Sequence, residues 1–313
     1  MRILVVGAGA IGGYFGGRLL EAGQDVVFLV RSRRAAALAE HGLSIQSRLG
    51  DFHAPAPPVV TEEGLAGPFD LVLLSCKAYD LEGAIASFAT AVGPQTAILP
   101  LLNGMRHLDV LADRFGAERV LGGQCVISAT LDASGGIVHL NDLHSLTFGE
   151  LAGGRTSRIE AIAAAMSGAR FDARLSEEMR QDMWEKWLFI ASAAGITCLM
   201  RAAIGDIAAA GAADLVTGLL DECAAIATAE GYPPRKPSLE RARAAFTAPG
   251  SLLTASMLRD IEGGMPTEGD HILGDLLRRA AKPEGRSLLR IAHAHVKAYE
   301  ARRGREAVVQ QKG

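Results

Sequence analysis

Six residues constrain this chain more than any others: Gly7-Ala8-Gly9-Ala10-Ile11-Gly12, a GxGxxG spacing. They follow a short apolar run, residues 2–6, and precede a helix-patterned stretch, 11–21, closed by Gly23. In a strand–turn–helix setting each glycine has its own task. Gly7 permits the tight turn, Gly9 lets the backbone approach a diphosphate, and Gly12 allows the helix to lie close on the strand. The helix N-terminus then presents its N–H groups to the anion. Residues 7–12 are therefore a candidate dinucleotide loop, with a plain glycine-rich turn as the alternative. The same stretch carries no charge from Ile3 to Gly17, as a signal peptide would. The regular glycine spacing and the missing small-residue cleavage site argue against that reading.

Beyond the loop, strand and helix patterns alternate. Residues 25–30, 70–75, 96–102 and 120–129 read as strands, and 33–40 and 81–92 as helices. Wholly apolar strands separated by helices predict a parallel sheet covered on both faces. Residues 135–149 alternate more strictly and predict antiparallel strands added at an edge. From Ser176, the candidate N-cap of a long helix, nearly everything has helical periodicity, broken at points such as Gly263-Gly264 and Pro283. At 313 residues, two domains are the natural expectation. The pattern predicts a Rossmann-type doubly wound α/β domain over 1–172 and an all-α domain over 173–313. The polar tail, 302–313, is expected to fray.

Composition narrows the chemistry. Hydrophobic residues at 49% and charged residues at 21% fit a folded core and exclude disordered and collagen-like classes. A net charge of -3 offers no basic surface for nucleic acid or an anionic membrane. No apolar run reaches the roughly 18 residues a membrane span requires. The cysteines Cys76, Cys125, Cys198 and Cys223 form no CxxC pair, and the eight histidines show no ligand spacing, so no metal is expected. Unpaired thiols suit a cytoplasmic protein.

Several polar residues stand where chemistry is expected. Arg31 ends the second strand, where an NAD-binding fold usually carries an acid for the ribose 2′-hydroxyl. An arginine there suits a 2′-phosphate, which favours NADPH, and a solvated basic run with Arg33 and Arg34 is the alternative. Lys77 and Asn103 each follow a strand at its carboxyl end, the ligand side of such sheets. Read singly, one is also an ordinary exposed lysine and the other an Asn-Gly turn. Lys186 falls on the apolar stripe of its helix (Met179, Met183, Trp187, Ile190, Ala194). It is either a general acid facing a cleft between the domains or a snorkelling stem paired with Asp182. Glu268 opens a later helix, where an acid also complements the helix dipole.

Taken in order, the segments GAGAIG, SCKAYD, LLNGM, MWEKW and SMLRDIEGGMPTEGDHILGDLLRRA resemble the ketopantoate reductase (2-dehydropantoate 2-reductase) family across nearly the whole chain. The resemblance implies NADPH-dependent reduction of a 2-oxo acid, ketopantoate to pantoate in pantothenate and coenzyme A synthesis. It further implies that Arg31 grips the 2′-phosphate, Lys77 contacts the cofactor, and Asn103 stands between cofactor and substrate. Lys186 would be the catalytic acid, Ser256 a substrate contact, and Glu268 an anchor near ribose and substrate. The helical domain would also supply homodimer contacts. One departure concerns the substrate. Where the family commonly carries asparagines, four, eight and eighteen residues after the lysine, this chain has Ile190, Ala194 and Ile204. A pocket stripped of amide donors suits a more apolar branched or aromatic 2-oxo acid. Complete loss of the substrate site would leave a non-catalytic NADP-binding protein.

Overall fold

A computed structural model describes residues 1–280 and 287–310, without the side chains of 308–310. Pro283 and the last three residues of the tail lie outside the described residues. The chain divides into two compact units: residues 1–102 with 107–180, and residues 103–106 with 181–313.

The first unit is built on a parallel sheet. Its strands are β1 (Arg2–Val6), β2 (Asp25–Leu29), β5 (Val59–Val60), β6 (Leu71–Leu74) and β7 (Ala97–Pro100), in the order β5-β2-β1-β6-β7. All four pairings are parallel. The strands are short, apolar and buried, because helices must cover both faces of such a sheet. Strand order reverses beside β1, so the carboxyl ends of β1 and β6 flank a crevice. α1 (Ala10–Glu21) begins at that point, followed by α2 (Ser32–His41), α3 (Leu81–Phe88), α4 (Arg106–Phe115) and α5 (Ser157–Met166).

A second, mixed sheet corrects the expectation for residues 120–149. β8 (Leu121–Leu131) and β9 (Ile137–Glu150) pair antiparallel with each other, not with the edge of the parallel sheet. β9 is long enough to pair in parallel with β3 (Leu43–Gln46) at one end and with β10 (Asp172–Leu175) at the other. β4 (Phe52–Ala54) closes that sheet on β3. Residues 120–129 pack beside β7 and join the parallel sheet's ladder through the bridge from Val120 to Ile98. Their pairing partner is the neighbouring strand of alternating pattern, which a tight turn at 132–136 delivers. Helix α1 packs against both sheets through its glycines. A Cβ at Gly16 would lie 2.6 Å from Phe28 of the first sheet, and one at Gly13 2.7 Å from Ile137 of the second.

The second unit is helical: α6 (Met179–Met200), α7 (Ile204–Ala209), α8 (Ala213–Ala229), α9 (Lys236–Thr247), α10 (Ser256–Glu262), α11 (Asp275–Arg279) and α12 (Leu288–Gln310). α6 begins in the last residues of the first unit. Ser176 lies short of its start: the Ser176 hydroxyl accepts from the Glu178 N–H, and the helix opens only at Met179. α12 runs through most of the tail expected to fray. Among the described residues, no helix is long and apolar enough to cross a membrane.

Candidate active site

The crevice at the carboxyl ends of β1, β2 and β6 is a cleft of about 560 Å³. Gly7, Ala8 and Gly9 line one side, and Arg31, Arg34, Lys77 and Asp80 are among the residues around the rest. The three glycines differ in the way the spacing predicts. Gly7 has φ +93°, and a Cβ there would lie 2.8 Å from the Ser75 carbonyl oxygen. A Cβ at Gly12 would lie 2.1 Å from the Gly7 carbonyl oxygen and 2.9 Å from the Ser75 Cβ. At Gly9 it would meet nothing within 4 Å. The protein itself therefore does not require glycine at position 9, and the space beside it is open to a closely approaching ligand. No side chain caps α1, and its first turn holds no acid. Its leading N–H groups, including those of Ala10 and Ile11, form an anion site of the kind a diphosphate occupies.

Arg31 directly precedes α2, where again no side chain caps and no acid stands in the first turn. Its guanidinium reaches Asp80 at 2.8 Å, with 79% of the arginine side chain exposed. The hydrogen bond and charge of Asp80 raise the Arg31 pKa further. An incoming phosphate would have to displace this exposed pair, and such pairs are weak. Arg34, part of the basic run, has a distinct role. Its Nε donates to the Ala8 carbonyl oxygen at 3.0 Å, and burial pulls its pKa down. It thereby braces the glycine loop. The donor set of loop N–H groups, Arg31 and Lys77 fits a phosphorylated dinucleotide. Among the described residues no cluster could hold a metal ion.

A second group of polar residues lies within the helical unit. Lys186, half-buried on α6, donates from Nζ to Asn103 Oδ1 at 3.1 Å. Asp182, one turn earlier on the same helix, also accepts from Arg235. Asn103 stands three residues beyond β7, yet segment 103–106 clusters with the helical unit. Gly104 makes that turn at φ +81°, where a Cβ would also press to 3.0 Å on the His271 ring. His271 is 7% exposed and donates a hydrogen bond to the Asn103 backbone carbonyl. Burial pulls its pKa down, against the opposing charge of half-buried Glu268. Asn103 thus meets both Lys186 and His271, and the His271 main-chain N–H donates to the Glu268 carbonyl at 3.0 Å.

Ser256 stands apart from that group. It is exposed at the start of α10, whose preceding residue, Ala255, donates to the Thr197 hydroxyl at 3.4 Å. Thr197 lies eleven residues beyond Lys186, about 16 Å along the helix at the usual rise. The three apolar replacements also part company. Ile190 is half-buried, whereas Ala194 and Ile204 are 1% and 0% exposed. Sequence reasoning missed His271, Asp80 and the brace made by Arg34. His271 carried one usable signal, a histidine among the buried positions of an apolar helix pattern.

Comparison with known proteins supplies the relatives. The profile of ketopantoate reductase PanE/ApbA matches residues 3–153, and that of its C-terminal domain matches residues 178–286. An uncharacterized oxidoreductase of Bacillus subtilis, YkpB, is 39% identical over 303 residues, covering 96% of this chain and 99% of that protein. A 2-dehydropantoate 2-reductase of Halobacterium salinarum is 30% identical over 90% of this chain and 92% of its own. The crystal structure of 2-dehydropantoate 2-reductase from Methylococcus capsulatus superposes with a TM-score of 0.86 at 28% identity. It covers 97% of this chain and 98% of that one.

Proposed function

The chain belongs to the ketopantoate reductase family and is an oxidoreductase, and from that premise we propose that it reduces a 2-oxo acid to a 2-hydroxy acid with NADPH. One observation carries the reading: the half-buried Lys186 ammonium held on Asn103 Oδ1, in a chain that also carries an open glycine loop followed by Arg31.

In this reading the N–H groups of the 7–12 loop hold the cofactor diphosphate, Arg31 and Lys77 hold its outer phosphate, and Glu268 anchors the ribose. When bound, NADPH supplies the hydride that reduces the 2-oxo carbon. Lys186 donates a proton to the alkoxide oxygen formed there. As an ammonium it also stabilises the developing charge. Asn103 accepts from the ammonium and restricts where it points, which is the orientational part of the catalysis.

Ketopantoate is the leading substrate, because the family profiles span both units. The apolar residues Ile190, Ala194 and Ile204 favour a second reading, a branched or aromatic 2-oxo acid. Rates of NADPH oxidation across a panel of 2-oxo acids test both. A kcat/KM for ketopantoate well above the others selects the first, the reverse order selects the second, and no turnover on any member overturns the reductase reading.

A further inference from the structure

We infer that His271 is a positioning residue for the catalytic pair, holding the Asn103–Gly104 turn so that Asn103 Oδ1 stays on Lys186. The inference rests on the reductase reading above. Three hydrogen bonds close a ring among three separate segments of the helical unit. Lys186 Nζ donates to the Asn103 side chain at 3.1 Å. The His271 imidazole donates to the Asn103 main-chain carbonyl. Trp187, next to Lys186, donates its indole N–H to the Ile272 carbonyl at 3.0 Å. Lys186 and Trp187 are thereby tied on one side and His271 and Ile272 on the other, with the Asn103 turn between.

The backbone under His271 supports the same conclusion. Residues Asp270–Gly274 form a single π-helical turn, closed by the Asp275 N–H on the Asp270 carbonyl. Such turns are rare and concentrate at functional sites, because the extra residue rotates side chains out of α-helical register. A buried imidazole is also a costly filler where leucine or phenylalanine would pack; its advantage is a directed N–H. Gly104 completes the fit. With φ +81°, and a Cβ position 3.2 Å from His271 Nε2, the turn accepts the ring only because no side chain intervenes. The charged groups acting on the ring are Glu268, Asp275 and Arg106, all in the same unit.

The test compares His271→Phe, which keeps the ring volume and removes the donor, with His271→Gln, whose amide N–H can reach the position of Nε2. His271→Phe should lower kcat about 10- to 100-fold, a part of the usual contribution of a positioned acid, with NADPH Kd changed less than about twofold. The basic limb of its kcat–pH profile should move to lower pH, since Asn103 no longer favours the ammonium form. His271→Gln should recover kcat to within a few-fold. Amide hydrogen exchange over residues 103–106 should quicken in the Phe variant and not in the Gln variant. Wild-type kcat and pH profile in His271→Phe, or equal damage in a folded His271→Gln, overturns the inference. If the wild-type protein turns over no 2-oxo acid, the reductase reading falls and exchange over 103–106 alone decides the role of His271. Unchanged exchange in the Phe variant then overturns it. Should His271→Phe not fold, His271→Met carries the same comparison.

Discussion

Lys186 Nζ lies 3.1 Å from Asn103 Oδ1, a contact between residues 83 positions apart in the chain. A lysine on an apolar helix stripe is an anomaly when read from its helix alone, and here it has a directed acceptor. The pair converts a flexible side chain into a group with a defined direction. Removing the ammonium should therefore affect proton delivery far more than folding. Lys186→Ala is expected to lower kcat by about 10²–10⁴, with NADPH affinity and Tm little changed, as stopped-flow kinetics and thermal unfolding would read. A variant that instead unfolds, or stays fully active, counts against the mechanism.

Cofactor preference should depend on Arg31 and be moderated by Asp80. Arg31→Ala should reduce the NADPH over NADH affinity ratio at least tenfold, about 1.4 kcal/mol. Asp80→Asn releases the guanidinium and removes an acid facing the phosphate. Because the ion pair is exposed, the gain in NADPH affinity should not exceed about fivefold, the range of surface pairs. Fluorescence titration of both variants with both cofactors measures the two effects.

The glycine loop separates ligand space from protein space. Gly9→Ala places a methyl group where the protein has nothing within 4 Å. Its stability cost should be at most about 1 kcal/mol, from the weaker N-cap, while NADPH Kd should rise at least tenfold, or about 1.4 kcal/mol. Gly12→Ala drives a methyl group into the Gly7 carbonyl and Ser75. That variant should lose Tm even without cofactor. Equal Tm losses in the two apo proteins would contradict the assignment.

Restoring amides on α6 should give unequal results. Ile190 is half-buried and tolerates a polar side chain, so Ile190→Asn should shift kcat/KM toward ketopantoate by up to about 1.5 kcal/mol per new hydrogen bond. Ala194 is 1% exposed. An asparagine there buries an amide without assured partners, and Ala194→Asn should lose about 1–3 kcal/mol of stability. Denaturant unfolding beside substrate kinetics distinguishes the two.

Acid should weaken the helical unit through Glu185. Burial pushes this carboxyl up, but the Arg235 side chain and backbone N–H and Gln181 pull it further down, leaving the pKa below the ordinary value. A depressed folded-state pKa contributes stability above the unfolded value, near 4.3, that is lost as pH falls through the folded one. Arg235 binds Glu185 through Nε at 2.7 Å and through its second nitrogen at 2.9 Å. Arg235→Met should therefore cost about 3 kcal/mol at neutral pH, the low end for breaking a buried pair because 44% of the arginine is exposed. The loss should shrink below pH 4, as urea midpoints against pH would show.

The sequence by itself determined whatever depends on neighbours in the chain. The apolar strand, the glycine spacing and the following helix specify the strand–turn–helix, since all its parts lie within the continuous stretch from Arg2 to Glu21. Arg31 was legible for the same reason: it occupies a set place at the end of one strand. The tertiary structure alone decided which distant groups meet. The alternation of 137–150 identified a strand with two unlike faces, but not its partners, because period 2 constrains the faces of a strand and not its neighbours. Likewise His271 read as one histidine among eight, and Asp80 stood out only as the last residue of the segment SCKAYD. A hydrogen bond across dozens of residues leaves no trace in local propensity; it exists only after apolar packing has brought the two backbones together.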